Sequence, residues 1–392
     1  MDLLHGAWSI PRDATISSTD ETPMKRSSTF RTLGSLAVLI SAAACAADPT
    51  ATTASNRALT AQSRLNDAAK EEGGNNGHIT YAVIGDFPYG PAKRAELPLL
   101  VDKINADPTI ERVIHLGDIK AGSSSDCSDA YFADIRQQFD RFNPPLVYTP
   151  GDNEWTDCHV ASKNNGLYTP TERLVAVRNV FFPIVGRTLG IHSARVQSQA
   201  EVDPANAQYV ENVMWMHGDV VFATFNITGS NNDKADWGTP LPANASSFPS
   251  QATEQLTRAQ ATSAWLERTF QHAKEAKAVV LALQADMWDG TLANRATTID
   301  GYDDLVTQIG NLAVKFGKPV LLLEGDSHVF RIDAPFTPSS PLFGLHPNTP
   351  VAPNVTRLVV NGSSSRTEYV RLTINPEAKD GNIFTWVEVP LN

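Results

Sequence analysis

The chain lacks the signatures of several common enzyme classes. No Gly-x-Ser-x-Gly stretch occurs in its 392 residues, which leaves no nucleophile elbow for a serine hydrolase. No Gly-x-Gly-x-x-Gly follows the first apolar strand, so the dinucleotide-binding fingerprint is missing as well. Cysteine is scarce: there are three, at positions 45, 127 and 158, and their settings read as structural rather than nucleophilic. Positive charge is in deficit. Lys and Arg number 32 against 43 Asp and Glu, a net charge of -11; nucleic acid and anionic membrane both call for a basic surface, so neither is the expected partner. The most apolar run, Leu33 to Ile40, is too short to span a bilayer. No internal repeat is present.

What remains is an ordinary soluble composition, 42% hydrophobic and 19% charged, long enough for one large domain or two small ones. The N-terminus reads as an export signal: Lys25, Arg26 and Arg31, then the apolar run, then small residues at 42–47. Residues 1–23 do not fit a signal, which makes Met24 a candidate start. The Ala-Ala-Ala-Cys run ending at Cys45 resembles a lipoprotein box and leaves two outcomes open, ordinary cleavage near Ala44–Ala47 or a lipid anchor at Cys45. Either way the expected location is periplasmic, secreted or lipid-anchored. Residues 48–77 lack a sustained apolar period and read as a flexible leader. The folded domain is expected over 78–392.

Five short blocks dominate that domain. They are Ile84-Gly85-Asp86-Phe87-Pro88-Tyr89, Leu116-Gly117-Asp118-Ile119-Lys120, Pro150-Gly151-Asp152-Asn153-Glu154, Leu283-Gln284-Ala285-Asp286 and Glu324-Gly325-Asp326-Ser327-His328. Four repeat one device: an apolar strand, a Gly, then an Asp. The Gly permits a sharp turn or a close approach. The Asp places a carboxylate at the carboxyl end of the strand, where open α/β sheets bind ligands. Several carboxylates gathered there would repel one another unless a cation held them together. Cys127 and Cys158 each follow one of these blocks. Both therefore fall in loops on one sheet edge; in an oxidising compartment they bridge, the other reading being two free thiols.

Between the blocks, strands are expected near His78–Asp86, Arg112–Gly117, Pro145–Thr149, Val220–Phe225, Val279–Leu283 and Val320–Leu323. Helices are expected near Ala92–Ala106, limited or bent by Pro98, near Asp129–Phe142, and after Thr169-Pro170-Thr171-Glu172. That tetrapeptide reads as a capping box with Pro at the first helical position. A helix near Glu254–Ala276 should turn Leu256, Trp265 and Phe270 inward. The proline-rich segment 334–353 reads as a loop. Arg357–Val360, Tyr369–Ile374 and Phe384–Val389 read as closing antiparallel strands. Alternating strands and helices followed by consecutive strands imply layered α/β with mixed sheets, a two-sheet sandwich flanked by helices.

The order and spacing of the five blocks over residues 79–330 resemble the calcineurin-like metallophosphoesterase superfamily, which includes the purple acid phosphatases. The resemblance implies a four-layer α/β/β/α sandwich with a two-metal centre between strand ends. Carried over by position, Asp86 would hold the first metal and Asp118 would bridge the pair. Asp152 stands at the family's Asn ligand, Gln284 at its lone His, Asp326 and His328 at the two His of its last motif. Pro88 replaces the His of the usual first block, and Ala121 stands where purple acid phosphatases carry a ligating Tyr. Asn153 replaces the His that assists the transition state, leaving Asp157 and His159 as candidate proton donors. Each loss of imidazole makes the site harder, which favours Mn or Mg, with Ca, Fe or Zn as further candidates. The expected function is exported, metal-dependent hydrolysis of a small phosphate mono- or diester by a metal-activated water. The alternative is a catalytically decayed phosphoesterase fold that keeps a structural metal or a ligand-binding site.

Other polar residues have plainer readings. His115 lies inside a strand and reads as a satisfied core His. Lys120 is either a phosphate binder or a solvated loop lysine. Glu154 and Trp155 read as braces of the third loop. Asn226, Asn231 and Asn232 are open between substrate contact and turn chemistry.

Overall fold

The computed structural model describes residues 77–122, 126–159, 168–238, 241–289, 299–379 and 382–392. The expected export signal, Cys45 and the leader up to residue 76 lie outside the described residues. The architecture is mixed α/β, with two mixed sheets and helices. In the five-stranded sheet, β1 (Ile79–Ile84), β2 (Arg112–His115) and β3 (Leu146–Tyr148) run parallel. Antiparallel β11 (Glu368–Ile374) and β12 (Phe384–Pro390) complete it in the order β12-β11-β1-β2-β3.

The seven-stranded sheet has the order β4-β5-β6-β7-β8-β10-β9. Its parallel centre is β6 (Val220–Thr224), β7 (Ala278–Ala282), β8 (Val320–Glu324) and β10 (Val355–Val359). Antiparallel β4 (Gln197–Ser198), β5 (Val213–His217) and β9 (Arg331–Asp333) lie toward its edges. Segment 355–359 therefore does not close the fold as an antiparallel strand beside its sequence neighbours. It pairs parallel to β8 and antiparallel to β9. The short strands β4 and β9, and β5, had no expected counterpart.

The continuous apolar runs are explained by burial on both faces. In β8, Leu321 and Leu323 join a cluster with Tyr81, Val83, Ile114, Leu358 and Leu372, drawn from both sheets. Leu322 points the other way, into a cluster with Trp265, Leu266, Val306 and Ile309. A third cluster joins Ala82 and Ile84 to helical Leu100, Ile104, Phe132, Phe139 and Phe181.

Among the described residues, five helices of eleven residues or more supply those partners. Helix α1 (Gly90–Asn105) runs on through Pro98 rather than stopping there. Helix α2 (Asp129–Phe139) is capped by Ser128, whose hydroxyl accepts from the Tyr131 N–H. Helix α3 (Pro170–Phe181) has Pro at its first position and buries Leu174, Val177 and Phe181, as expected. The capping box does not form: the Thr169 hydroxyl donates to Asn244 and Glu172 turns to Arg173. Helix α4 (Gln251–His272) buries Trp265 and Phe270, but Leu256 is 56% exposed because it falls on the side of the helix opposite Trp265. Helix α5 (Asp303–Phe316), unanticipated, inserts Val306 and Ile309 and ends at Gly317 in the left-handed region. Residues 334–353 contain neither helix nor strand. Among the described residues no helix is long and apolar enough to cross a membrane.

Candidate metal centre

Each of the five blocks follows a strand: Asp86 after β1, Asp118 after β2, Asp152 after β3, Gln284 after β7 and Asp326 after β8. Three parallel strands of one sheet and two of the other thus deliver polar residues to a common edge. The backbone there is unusual. Asp86, Asp118, Asp326 and His328 have φ of 50°, 57°, 66° and 58°, a left-handed conformation that costs a side-chain-bearing residue about 1–3 kcal/mol. The preceding glycines serve proximity. A Cβ on Gly151 would overlap the Asp118 carboxylate, and one on Gly325 would overlap that of Asp86. Each such Gly makes room for the Asp of another block.

The result is a tight acidic group. Asp86, Asp118 and Asp326 each offer a carboxylate oxygen, and these oxygens lie within 4.8 Å of one another. The Asp326 N–H donates to both oxygens of Asp86, at 3.0 and 2.9 Å. Asp152 joins from β3, with one oxygen accepting from the Ser230 hydroxyl at 2.6 Å. Its other oxygen, Oδ1, is buried with no hydrogen-bond partner. His328 stands beside Asp86, its Nε2 3.6 Å from Oδ1, while its Nδ1 meets the Ser364 hydroxyl at 3.1 Å.

Electrostatics follow from that crowding. Burial, then the charges of Asp152, Glu154, Asp86 and Asp326, pushes Asp118 well above the usual carboxylate range. Burial, then Asp152 and Asp86, does the same to Asp326. Asp152 is pushed up to about 7 by burial and by Asp157. Among the described residues, no lysine or arginine forms an ion pair with any of the four; the ion pair made there is His328 with Asp86. The nearby Lys120 ammonium is buried and donates to the carbonyls of Asn153 at 2.7 Å and Ala121 at 3.0 Å. It is not a solvated loop lysine; it ties two loops together.

These residues fit a hard divalent cation. The acceptors are carboxylate oxygens with a single imidazole at the rim, the donor chemistry of Mg, Mn or Ca sites. The unpartnered Asp152 oxygen is a further acceptor that a cation could use.

Asp118 stands apart from the others. Its Oδ1 accepts from the Asn153 N–H at 3.0 Å. Its Oδ2 accepts from Asn153 Nδ2 at 2.5 Å, the Tyr89 hydroxyl at 2.8 Å and Gln284 Nε2 at 3.1 Å. The orientation of Gln284 is set by its Oε1, which accepts from the Gly229 N–H at 2.6 Å. Gln284 therefore turns its nitrogen, not its oxygen, toward the carboxylates.

Tyr89 was visible in the first block but had no assigned role; a phenol three residues beyond a strand-end Asp was the available signal. Ser230 and Ser364 lie on loops whose polar residues carry no spacing rule, so nothing singled them out. Asp157 lies near Ser230, whose hydroxyl is 3.4 Å from its Oδ1. His159 engages the Thr156 carbonyl and faces the Trp237 ring at 6.4 Å. The expected core role of His115 is met: its Nε2 is 2.9 Å from the Phe87 carbonyl, and burial lowers its pKa to about 4. Glu154 braces the third loop as expected, accepting from Tyr148 and from the N–H groups of Gly151 and Asp118. Asn226 and Asn232 are buried in contacts with Glu211 and Arg258, which favours their structural reading. Cys127 and Cys158 form a disulfide, with Cα atoms 5.9 Å apart.

No protein-family model matches the sequence, and no curated protein matches it. Among solved structures, one described as GAP50, the anchor in the inner membrane complex of Plasmodium, aligns with 81% of this chain and 90% of its own at 10% identity. The TM-score is 0.41, a likeness too slight to bear on fold or function.

Proposed function

We propose that this chain is an exported, divalent-metal-dependent phosphoesterase of the calcineurin-like type, built on a four-layer α/β/β/α sandwich. The three hydrophobic clusters support the layer order, since one joins the two sheets and the others join each sheet to helices. The observation that carries the function is the convergence of four strand-end aspartates, three within 4.8 Å, with no arginine or lysine paired to them among the described residues. Asp86, Asp152, Asp326 and His328 would hold the cation. Bound there, it would supply Lewis acidity and a water of lowered pKa. His328, its Nδ1 meeting the Ser364 hydroxyl, stands at the partly exposed rim of the centre. Asn153 donates to Asp118 and is engaged in holding it, so Asp157 is the better placed of the remaining proton-donor candidates. Mn or Mg fits the oxygen-rich set best. The disulfide agrees with an oxidising destination.

A second reading also has an observation behind it. Asp118 is surrounded by protein donors, as in a scaffold whose catalytic centre has become a binding site. Metal analysis of purified protein, with phosphomonoester and diester assays across Mg, Mn, Ca, Zn and Fe, separates the two. Cleavage that is lost on chelation and restored by Mn or Mg supports the enzyme. Retained metal without cleavage of either ester supports the binding protein.

A further inference from the structure

We propose that the centre takes one divalent cation rather than two, with Asn153, Gln284 and Tyr89 acting as positioning residues that hold Asp118 by hydrogen bonds where a second cation would need it. This rests on the metal-centre reading above and concerns how that centre is filled. An ionised carboxylate has about four lone-pair sites. Asp118 accepts four hydrogen bonds, three of them on Oδ2. To bridge two cations it would have to expel donors. Gln284 cannot turn its oxygen inward without placing its NH₂ against the Gly229 N–H, which now donates to Oε1 at 2.6 Å. Two amide NH₂ groups and a phenol O–H thus point positive hydrogens at the side of the centre nearest Asp118. A cation placed there would meet donors, not acceptors.

The opposite side has the reverse character. Among the described residues nothing donates to the Asp326 carboxylate, and Asp152, 6% exposed, keeps Oδ1 buried without a partner. Asp86 accepts the Asp326 N–H on both oxygens and the Tyr89 hydroxyl on Oδ1 at 3.5 Å, which leaves acceptor capacity on Oδ2. His328 Nε2 lies beside it. The open acceptors on this side belong to Asp86, Asp152 and Asp326. The three donors act through Asp118 and contribute position, not coordination.

The test is Mn(II) stoichiometry by equilibrium dialysis on chelator-treated, full-length protein, read together with the electron paramagnetic resonance of the bound ion. One equivalent with the hyperfine sextet of an isolated Mn(II) is expected. Two equivalents with the exchange-broadened signal of ions about 3.5–4 Å apart would overturn the inference and leave the metal reading intact. No saturable binding would remove both. The double variant Asn153→His, Gln284→His replaces the amide donors with acceptors and should bind a second equivalent. If it folds and still binds one, the exclusion does not come from these amides and their assigned role is wrong. If it fails to fold, the wild-type count decides alone.

Discussion

Glu324 and Asp326 are two residues apart at the end of β8, and Gln284 and Asp286 are two apart after β7, yet each pair is split between opposite electrostatic surroundings. Glu324 and Asp286 face Arg357, at 3.1 and 2.5 Å, and Asp286 also meets Arg331 at 3.1 Å. Asp333 reaches the same guanidinium at 2.6 Å. Burial works against the Arg357 charge, but Glu324, Asp333 and Asp286 outweigh it and hold its pKa above the ordinary value. Gln284 and Asp326 face the aspartate group, where no arginine or lysine is paired among the described residues. One cluster has its countercharge built in. The other is left short of it, although it is just as buried and stands on left-handed backbone. The two groups of carboxylates differ in whether an arginine lies among them.

The largest effect expected from breaking this comparison is at Arg357. Arg357→Met leaves Glu324 buried without a countercharge and Asp286 with Arg331 as its remaining partner, and should lower stability by about 3–5 kcal/mol, read as a drop in the urea midpoint. A loss below about 1 kcal/mol would mean that the arginine cluster is not an integral ion network. Next in size is the disulfide. It links the segment ahead of α2 to the turn after Asp152 and Asn153, closing 31 residues. The pair Cys127→Ser, Cys158→Ser should cost roughly 3–4 kcal/mol, with Mn(II) affinity falling at denaturant concentrations where the core is still folded. Coincident loss of both would show that the bridge supports the whole domain rather than the centre.

A smaller effect is the pH slope of the aspartate group. Asp152 is held at about 7 in the fold, against an ordinary 3.8. Between those values the folded protein keeps a proton that the unfolded chain has released. The stability of cation-free protein should therefore fall as pH rises from about 4 to about 7. Asp152→Asn should reduce that slope, with the raised carboxyls of Asp118 and Asp326 keeping the remainder, and saturating Mn(II) should reverse it by favouring the ionised carboxylates. A slope unaltered by either would place the titration elsewhere. The smallest effect is at His159, whose contacts are Thr156 and Trp237. His159→Ala should leave Mn(II) affinity unchanged in the same dialysis experiment, and a large loss there would return it to the centre.

Much of the fold was legible because its parallel strands announce themselves. Val320–Leu323 and Val279–Leu283 are apolar on both faces, which few structures other than a covered sheet require. The Gly-Asp pairs marked the strand ends for a steric reason, since each Gly accommodates a neighbouring carboxylate. Partnering was not legible. Arg357 lies some thirty residues beyond the last block, and no local pattern says that it neutralises Glu324 and Asp286 while leaving Asp326 alone. Gln284 was legible as a polar strand-end residue, but which end of its amide faces inward depends on Gly229, 55 residues away. Leu256 misled because local helical spacing does not show which arc of α4 meets the sheet. The helix over 303–316 went unread although Val306 and Ile309 fall on one face.

The central claim is that the aspartate group is a cation site and the arginine-paired group is not. Calorimetric titration of Mn(II) into wild type, Asp326→Asn and Asp333→Asn tests it directly. Asp333 sits at the half-exposed edge of the Arg357 cluster, so its loss should spare the fold. The account predicts saturable binding to wild type and to Asp333→Asn, and its loss in Asp326→Asn. Binding that survives Asp326→Asn, or is absent from wild type, would contradict it.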